Sequence, residues 1–347
     1  MNLSRLHITF FAFGFILQAC GDAGGVGSGA PQLNHTFESI EVGSGEEVLE
    51  VCQSWTLGNE ETLFVNSVNQ TNDGAWHHSN WYFVPEDFYP GPDGTWPCNE
   101  RGFSQLGASN AGGVFFAQST QTFEETMTFV EGAAIEIPPR SKIIGDVHLL
   151  NVSASTMATA LSFEVETIPE EEVDTRLRPI GISNEALAIP PQRSSRFSME
   201  CDFGAEFQRF FGGTPDFSIY YVLGHYHDWG NYFRLSFIDD DGGDRTVFEF
   251  GGPVGEPLGL ALDPPVGSQG ASTLRFECGY INNTDRTLVY GFQDEEMCLF
   301  LAYSDADLKL GAISTVNTPM GPDEEGVELN ETGCFSTAVP VDPVEFD

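Results

Sequence analysis

The chain has 347 residues, of which 41% are hydrophobic, and its 52 acidic residues against 14 basic ones give a formal net charge of −38. This hydrophobic content is sufficient for a packed core and excludes an intrinsically disordered chain, while the length suggests two domains. The negative charge argues against nucleic acid and anionic membrane surfaces as partners, because like charges repel.

The N-terminus has the pattern of a bacterial export signal. A basic residue precedes an apolar stretch at residues 8–17, which is too short to span a bilayer. The stretch ends in LQAC, which resembles a lipobox, the motif whose cysteine is lipidated after cleavage. We expect residues 1–20 to be a lipoprotein signal peptide and residues 21–33 a flexible tether. Cys20 would then anchor the protein to a bacterial membrane, facing the periplasm or the exterior; an ordinary signal peptide is the alternative.

Most of the remaining chain consists of short runs rich in Val, Ile, Phe, Tyr and Thr, separated by Gly, Pro, Asn and Asp. Such runs predict many short strands, and therefore an all-β fold of sandwich or barrel type. In chain order, the clearest predicted strands are 62–68, 81–84, 142–150, 217–223, 232–238, 246–250, 274–280, 288–292 and 298–303.

A segment rich in Pro and Glu, residues 168–192, divides the chain into two halves of similar size and is a candidate linker. We predict one domain at residues 34–178 and a second at residues 179–347. Each half then contains three potential metal ligands and an even number of cysteines, which favours one metal ion per domain.

The histidines are grouped in the sequence. Four of them form two tight pairs, His77-His78 and the ends of His225-Tyr226-His227, whereas His148 stands alone in an apolar run. Residues i and i+2 of a strand point to the same face, so the second pair can bind one ion. Adjacent strand residues point to opposite faces, so the first pair can do so only at a strand end, a bulge or a loop.

Met297 is the candidate third ligand of the second pair, in the run Glu296-Met297-Cys298. A thioether is a soft ligand, which favours copper(I) over zinc, calcium or magnesium. The alternative interpretations are surface histidines and an ordinary core methionine. His35 lies near the tether and is not expected to take part.

Six cysteines remain after Cys20, and an even number in an oxidising compartment predicts three disulfides. Metal ligation by cysteine is less favoured, because no C-x-x-C spacing occurs. The six are Cys52, Cys98, Cys201, Cys278, Cys298 and Cys334.

The order and spacing of these residues resemble the copper type II, ascorbate-dependent monooxygenases, the family of peptidylglycine α-hydroxylating monooxygenase and dopamine β-monooxygenase. The resemblance covers most of residues 50–335. The resemblance rests on five features: the adjacent histidine pair before an aromatic strand, the lone histidine, the H-x-H pair, the E-M-C run and the segment CGYINNT at residues 278–284.

The resemblance implies two tandem antiparallel β-sandwich domains of jelly-roll type, each holding one copper ion. The first ion would serve electron transfer; at the second, O₂ would be activated and a substrate C–H bond hydroxylated. Ascorbate or another one-electron donor would reduce both. The implied ligands are His77, His78 and His148 for the first ion and His225, His227 and Met297 for the second, and the implied disulfides are Cys52–Cys98, Cys201–Cys334 and Cys278–Cys298.

The chain departs from the family at positions that bind a peptide substrate. An arginine of the peptide-hydroxylating member is replaced by Leu223, and an asparagine and a tyrosine by Leu299 and Leu301. These changes argue against a glycine-extended peptide and favour a more apolar substrate. A glutamine two residues before the lone histidine is replaced by Asp146, so a relay role does not carry over to that position.

The predicted function is therefore a copper monooxygenase acting on a small organic substrate with O₂. A non-catalytic copper-binding lipoprotein would use the same ligands, although the chain's six methionines are scattered rather than clustered. A β-sandwich for adhesion or carbohydrate binding is the third hypothesis. No G-x-S-x-G, P-loop or H-E-x-x-H motif is present, and the sequence predicts no oligomeric state.

Overall fold

The computed structural model describes residues 31–118, 121–252, 259–291 and 294–341, and these residues are mostly β-strand. The prediction of an all-β protein with tandem β-sandwiches is confirmed. The predicted signal peptide, Cys20 and most of the predicted tether lie outside the described residues. No helix within the described ranges is long and apolar enough to cross a membrane.

The first half is a sandwich of two antiparallel sheets. Its strands are β1 (Leu33–Thr36), β2 (Ile40–Val42), β3 (Glu47–Thr56), β4 (Leu63–Asn72), β5 (Trp76–Pro85), β6 (Gly94–Pro97), β7 (Gly113–Gln118), β8 (Glu124–Thr128), β9 (Ala133–Ile137), β10 (Ser141–Leu150), β11 (Met157–Thr159) and β12 (Leu161–Ile168). A 3₁₀ turn (Cys98–Arg101) and helix α1 (Gln105–Ala111) follow β6. One sheet has the order β6-β3-β10-β5-β7, and the facing sheet contains β1-β12-β4-β9 with β8 on β4.

The second half is also a sandwich. Its strands are β13 (Thr175–Asn184), β14 (Ala188–Ile189), β15 (Arg193–Asp202), β16 (Ser218–His225), β17 (Gly230–Ile238), β18 (Asp244–Gly251), β19 (Gly259–Gly267), β20 (Thr273–Asn282), β21 (Leu288–Val289), β22 (Leu299–Ser304), β23 (Leu308–Ser314), β24 (Asn317–Pro322), β25 (Glu328–Thr332) and β26 (Phe335–Pro340). A 3₁₀ turn (Glu170–Glu172) precedes β13, and helix α2 (Gly204–Phe211) follows β15. The sheet β18-β17-β20-β15-β25-β24 faces one formed by β13, β22, β16, β19, β23 and β26.

One strand joins the two sandwiches. The first residues of β13 pair in parallel with β9, and its later residues pair with β22, so one sheet runs continuously from the first half into the second. The segment predicted as a linker therefore contains a hydrogen-bonded strand, and the predicted domain boundary falls within it. Leu177 is buried with the core of the first half, whereas Ile180 and Ile182 are buried with that of the second.

Strand alternation directs the candidate ligands away from the core of the first sandwich. On β5 and β10, Phe83 and Ile143 face that core, whereas Tyr82 and Ile144 belong to a separate apolar cluster on the outer face. His78 and His148 are at even-numbered positions of the same strands and share this outer face. They are therefore available to meet the second half.

Close packing holds β10 against β5. Gly145 of β10 is paired with Trp81 of β5, and a Cβ at Gly145 would overlap the indole ring. Only glycine permits this approach. The resulting pairing brings the histidine-bearing ends of the two strands together.

Three disulfides cross-link the fold, and they join the pairs that the family resemblance implied. They are Cys52–Cys98, Cys201–Cys334 and Cys278–Cys298. Disulfides persist in oxidising compartments, and the three bonds therefore fit an exported protein.

Candidate metal centre

A β-bulge brings the first three histidines together. His78 of β5 is paired with His148 of β10, but the next pair is Trp76 with Leu149, so His77 is the extra residue of a bulge. The ring centroids of His77 and His78 lie 4.8 and 4.7 Å from that of His148. The three residues offer ligand nitrogens that all lie within 4.8 Å of one another. The bulge is one of the three arrangements that the sequence allowed for this adjacent pair.

A carboxylate orients the third histidine of this group. Nε2 of His148 lies 2.7 Å from Oε1 of Glu47, at the start of β3, and Nδ1 lies 3.0 Å from Nε2 of His78. When Nε2–H donates to the carboxylate, Nδ1 carries the lone pair and accepts a hydrogen bond from Nε2–H of His78. A carboxylate behind a ligating imidazole is the usual way in which proteins fix its tautomer and direction. Glu47 carried no signal in the sequence, because one acid among 52 is not distinctive.

His225 and His227 enter the site from the second half. His225 is the last residue of β16, and His227 lies in the following turn, where its carbonyl accepts a hydrogen bond from the N–H of Gly230. Nδ1–H of His227 donates to the carbonyl of Glu295 at 2.8 Å. This bond leaves the lone pair on Nε2, and it directs Nε2 as the free ligand nitrogen.

Two of the ring nitrogens have no hydrogen-bond partner among the described residues. They are Nε2 of His227 and Nδ1 of His77, and both atoms are buried. A buried polar atom without a partner costs about 1–3 kcal/mol. A metal ion bound at each ligand set would satisfy these atoms, and the donor set therefore fits a metal that accepts imidazole.

Glu296 ties the second histidine pair to the segment of Met297. The side chain is fully buried, and its carboxylate accepts hydrogen bonds from the backbone N–H groups of His227 at 2.9 Å and Trp229 at 2.7 Å. Burial raises the pKa of Glu296 to about 7, while these bonds and one from the backbone of Met297 oppose the increase. The sequence singled out Glu296 only as a neighbour of Met297, not for this role.

A hydrogen bond and a neighbouring disulfide fix the backbone of Met297. Its carbonyl accepts a hydrogen bond from the hydroxyl of Tyr280 at 2.6 Å, and the next residue, Cys298, is bonded to Cys278 of β20. The side chain is buried, with 4% exposure. Leu299, two residues later, is paired with His225 in the sheet. The Met297 backbone is thus fixed beside the second histidine pair, and ligation by its thioether remains a prediction.

The two predicted ligand sets lie against each other. The ring centroid of His78 is 5.6 Å from that of His225 and 6.2 Å from that of His227, and the centroid of His77 is 5.9 Å from that of His227. Within the second pair the separation is 5.2 Å. All five histidines therefore form a single cluster between the two halves, which we call the histidine cluster.

Burial favours the neutral form of four of the five imidazoles. It lowers the pKa of His77, His148 and His227, and it lowers that of His78 furthest, where the neighbouring histidines add to the effect. Neutral imidazole is the form that binds a metal ion. The cluster is therefore ready to bind a metal without first releasing protons.

The stability of the metal-free protein should decrease as the pH falls below 6.5. The lowered pKa values mean that the folded protein binds fewer protons than the unfolded chain, whose histidines titrate near 6.5. This contribution is complete above that pH and is lost progressively below it. Urea denaturation of the metal-free protein between about pH 7.5 and about pH 5.5 measures the effect. The variant His78→Asn should show a shallower decline, and an equal decline would contradict the assignment.

Replacing Glu47 with Gln should weaken metal binding without unfolding the protein. The amide keeps the shape of the side chain but removes the negative charge that accepts the Nε2–H of His148. Losing such a carboxylate costs about 10–100-fold in metal affinity. Competition titration with a copper chelator measures this loss. Glu46→Gln provides the control, since Glu46 contacts the backbone of Gly43, and equal affinities for the two variants would contradict the role of Glu47.

Other residues that the sequence singled out lie in different surroundings. His35 stacks on Trp55 at a centroid distance of 4.6 Å. Asp146 accepts a hydrogen bond from Nε2 of Gln105 at 3.0 Å, and burial raises its pKa. The three leucines that replace polar residues of the family do not share one environment: Leu223 and Leu301 are buried in the core, while Leu299 is half-buried opposite His225.

A cavity of about 370 Å³ lies elsewhere along the junction of the two halves. Its lining includes Arg176, Arg178 and Lys309 together with Glu136 and Asp305. None of the five histidines lines it, so it is separate from the histidine cluster.

No protein-family model matches the chain, and no curated protein does. Among solved structures, similarity is found to a protein of Parabacteroides distasonis described as secreted, with 10% identity, a TM-score of 0.20 and coverage of 80% of this chain and 90% of that one. PNGase F, a glycosylasparaginase from Flavobacterium meningosepticum, has 9% identity, a TM-score of 0.34 and coverage of 79% and 95%. An archaeal virus protein with a triple jelly roll has 11% identity, a TM-score of 0.21 and coverage of 80% and 60%. These similarities are too weak to carry a functional argument.

Proposed function

We propose that the protein is an exported copper-dependent monooxygenase that hydroxylates a C–H bond of a small organic substrate, using O₂ and a one-electron donor such as ascorbate. The observation that carries the proposal is the histidine cluster, in which ligand nitrogens of His77 and His227 are buried without a hydrogen-bond partner among the described residues. Imidazole nitrogens that are buried and carry a lone pair are suited to a transition metal.

The composition of the ligand set supports copper over other metals. Imidazole suits both zinc and copper, whereas a thioether from Met297 would favour copper(I). The family resemblance assigns His77, His78 and His148 to one ion and His225, His227 and Met297 to the other. Two bound copper ions, each storing one electron, would supply the two electrons that a monooxygenation requires.

The surrounding residues hold the ligands in fixed directions. Glu47 orients the imidazole of His148, and the carbonyl of Glu295 orients that of His227. The carboxylate of Glu296 fixes the backbone of the turn that contains His227. Ligands held in this way lose little freedom when an ion binds.

An apolar substrate is part of the proposal. Leu299 is half-buried and lies opposite His225 in the sheet. In the family that the chain resembles, the corresponding position carries an asparagine that contacts a peptide. A leucine here supports a substrate that is bound by apolar contact rather than by hydrogen bonds.

Membrane attachment through a lipid on Cys20 completes the proposal. The lipobox-like sequence before this cysteine supports it, and the three disulfides support export. The membrane would contact the protein only through this anchor. Mass spectrometry of the N-terminal peptide from the mature protein tests the modification, and an unmodified peptide would contradict it.

The central experiment combines metal analysis with oxygen consumption. Full-length protein is purified without added metal and loaded with copper, and O₂ uptake is measured with ascorbate and a panel of small apolar substrates. We expect two copper ions per chain and substrate-dependent uptake. X-ray absorption of the reduced form should reveal a sulfur neighbour that is lost in Met297→Leu, a change that conserves side-chain volume. Thiol titration shows beforehand that the cysteines are oxidised.

The outcomes distinguish the alternatives. Failure to retain copper would overturn the proposal and favour a binding β-sandwich. Copper binding without O₂ uptake across the panel would favour a copper-binding lipoprotein.

A further inference from the structure

Besides the histidine cluster, the junction of the two halves contains the cavity of about 370 Å³. It forms where β13 changes partners: residues 175–177 pair in parallel with β9 of the first half, and residues 180–184 pair in parallel with β23 of the second. Arg178 and Pro179, between these two stretches, pair with neither strand and line the cavity. Sites for small molecules have volumes of about 300–1,000 Å³, so this cavity suits a ligand near the lower end of that range.

Lys309 of β23 is half-buried at this cavity and has no ion-pair partner among the described residues. Its ammonium donates to the carbonyl of Gly112, the residue after α1, and this bond uses one of the three N–H groups. A charge that has lost part of its hydration is unfavourable without a counter-charge. The other two N–H groups of Lys309, and its charge, are therefore suited to an anionic ligand.

A second cation lies near Lys309. The side chain of Arg178 is 14% exposed, and its guanidinium donates to Oε2 of Glu136 at 3.0 Å and to the carbonyl of Leu177 at 3.1 Å. These bonds use two of its five N–H groups. Burial lowers the pKa of Lys309, and repulsion from Arg178 adds to this effect. Because an anion attracts both charges, it would offset their mutual repulsion.

The acidic side chains at the cavity are already engaged or exposed. Glu136 is shared by the two arginines of the cavity, which lie 3.3 and 3.0 Å from its Oε2. The carboxylate of Asp305 accepts hydrogen bonds from a backbone N–H at 2.6 Å and from the hydroxyl of Tyr220 at 3.3 Å, and Asp307 is exposed. These acids do not pair with the lysine, but their charges favour a singly charged ligand over a doubly charged one.

We propose that this cavity binds a small organic acid, with its carboxylate between Lys309 and Arg178 and its apolar part against Ala111, Pro138 and Val341. All five residues line the cavity. The first two apolar residues belong to the first half and the third to the second half, so the ligand contacts both sides of the junction. The site is independent of copper binding and goes beyond the proposed function.

Protection of Lys309 from reductive methylation tests the proposal in the unaltered chain. The sequence contains one other lysine, Lys142, which is buried on β10 and serves as an internal reference. Full-length, metal-free protein is treated with formaldehyde and a borane reductant, and methylation is measured by mass spectrometry. The buffer contains about 0.15 M salt, which screens long-range repulsion of anions by the acidic surface.

Hexanoate and benzoate are the probes, and calorimetry gives their dissociation constants beforehand. At about ten times the dissociation constant, each should slow methylation of Lys309 about tenfold, because the free site is then a small fraction of the total. The rate at Lys142 should not change. Hexanamide, which has no charge, and inorganic phosphate, which carries a larger one, should protect Lys309 less than hexanoate does.

A pair of variants tests the role of the charge. Lys309→Met keeps the length of the side chain and should lower the affinity for benzoate about tenfold or more, the loss expected for a hydrogen bond between charged groups. Arg209→Met changes the net charge equally at an exposed position of α2, and it should bind benzoate as the parent does. Circular dichroism shows whether each variant is folded, and the protection experiment on the parent decides if Lys309→Met is not.

Three results would overturn the proposal. They are a lack of protection by either carboxylate, equal protection by hexanoate and hexanamide, and protection by phosphate alone. Equal benzoate affinity in the two methionine variants would also contradict it, and Lys309 would then serve only to join β23 to the end of α1. Each of these results would leave the proposed copper chemistry intact, because none of the measurements involves copper.

Discussion

Copper binding and turnover should both be lost when His227 is replaced by alanine. Nδ1–H of this residue donates to the carbonyl of Glu295, and its Nε2 is buried without a partner among the described residues. Loss of a residue that merely orients a ligand costs about 10–100-fold in metal affinity. Loss of the ligand itself should therefore cost more than about 100-fold, with O₂ uptake falling in parallel. Chelator competition and an oxygen electrode measure the two effects.

Two further variants separate ligation from folding. His227→Gln keeps a side-chain N–H that can donate to the Glu295 carbonyl, but its amide is a poor ligand for copper, so it should behave like the alanine variant. His35→Ala removes a histidine that stacks on Trp55, and it should bind copper as the parent does. Normal copper affinity in His227→Gln would exclude His227 as a ligand.

Removing Cys201–Cys334 and removing Cys278–Cys298 should affect stability and copper binding to different extents. Cys201–Cys334 closes the longer loop, with a sequence separation of 133, whereas Cys278–Cys298 has a separation of 20. The chain-entropy model predicts that replacing both cysteines with alanine lowers the free energy of unfolding by about 5 kcal/mol for the first bond and about 3 kcal/mol for the second. Urea denaturation of the two double variants measures the difference.

Removal of Cys278–Cys298 should cost less stability than removal of Cys201–Cys334, but it should weaken copper(I) binding more. Cys278–Cys298 fixes the residue that follows Met297, so its removal should loosen the proposed thioether ligand. Cys201–Cys334 joins β15 to the segment before β26, and its removal should leave copper(I) affinity unchanged in the folded protein. Competition titration with copper(I) checks this contrast. Equal copper(I) affinity in both variants would argue that the disulfide does not position Met297.

The sequence was a good guide to local structure. Short β-branched and aromatic runs between turn residues predicted an all-β fold, and the structure confirms it. The rule that adjacent strand residues face opposite sides required a break in regularity at His77-His78, and the break is a bulge at His77. An even number of cysteines predicted three disulfides, which are present. Each of these predictions depends on residues that are close in sequence or on residue counts.

The residues that support the candidate ligands were harder to find. Glu47 is separated from His148 by 101 positions, and Glu296 from His227 by 69. In a chain with 52 acids, neither stands out by composition. Their roles follow from the pairing of β3 with β10 and from the turn after β16, and no local pattern encodes which acid lies behind which imidazole.

The sequence by itself determined the class of fold, the alternating faces of the strands and the residue types available for metal binding, because these depend on side-chain chemistry and on the two-residue period of a strand. Only the tertiary structure decided that β13 continues the sheet from one half into the other, and that His78 contacts His225. Both outcomes depend on how two apolar sheet faces pack on each other. That packing is set by the combined shape of many distant side chains, and no short segment carries it.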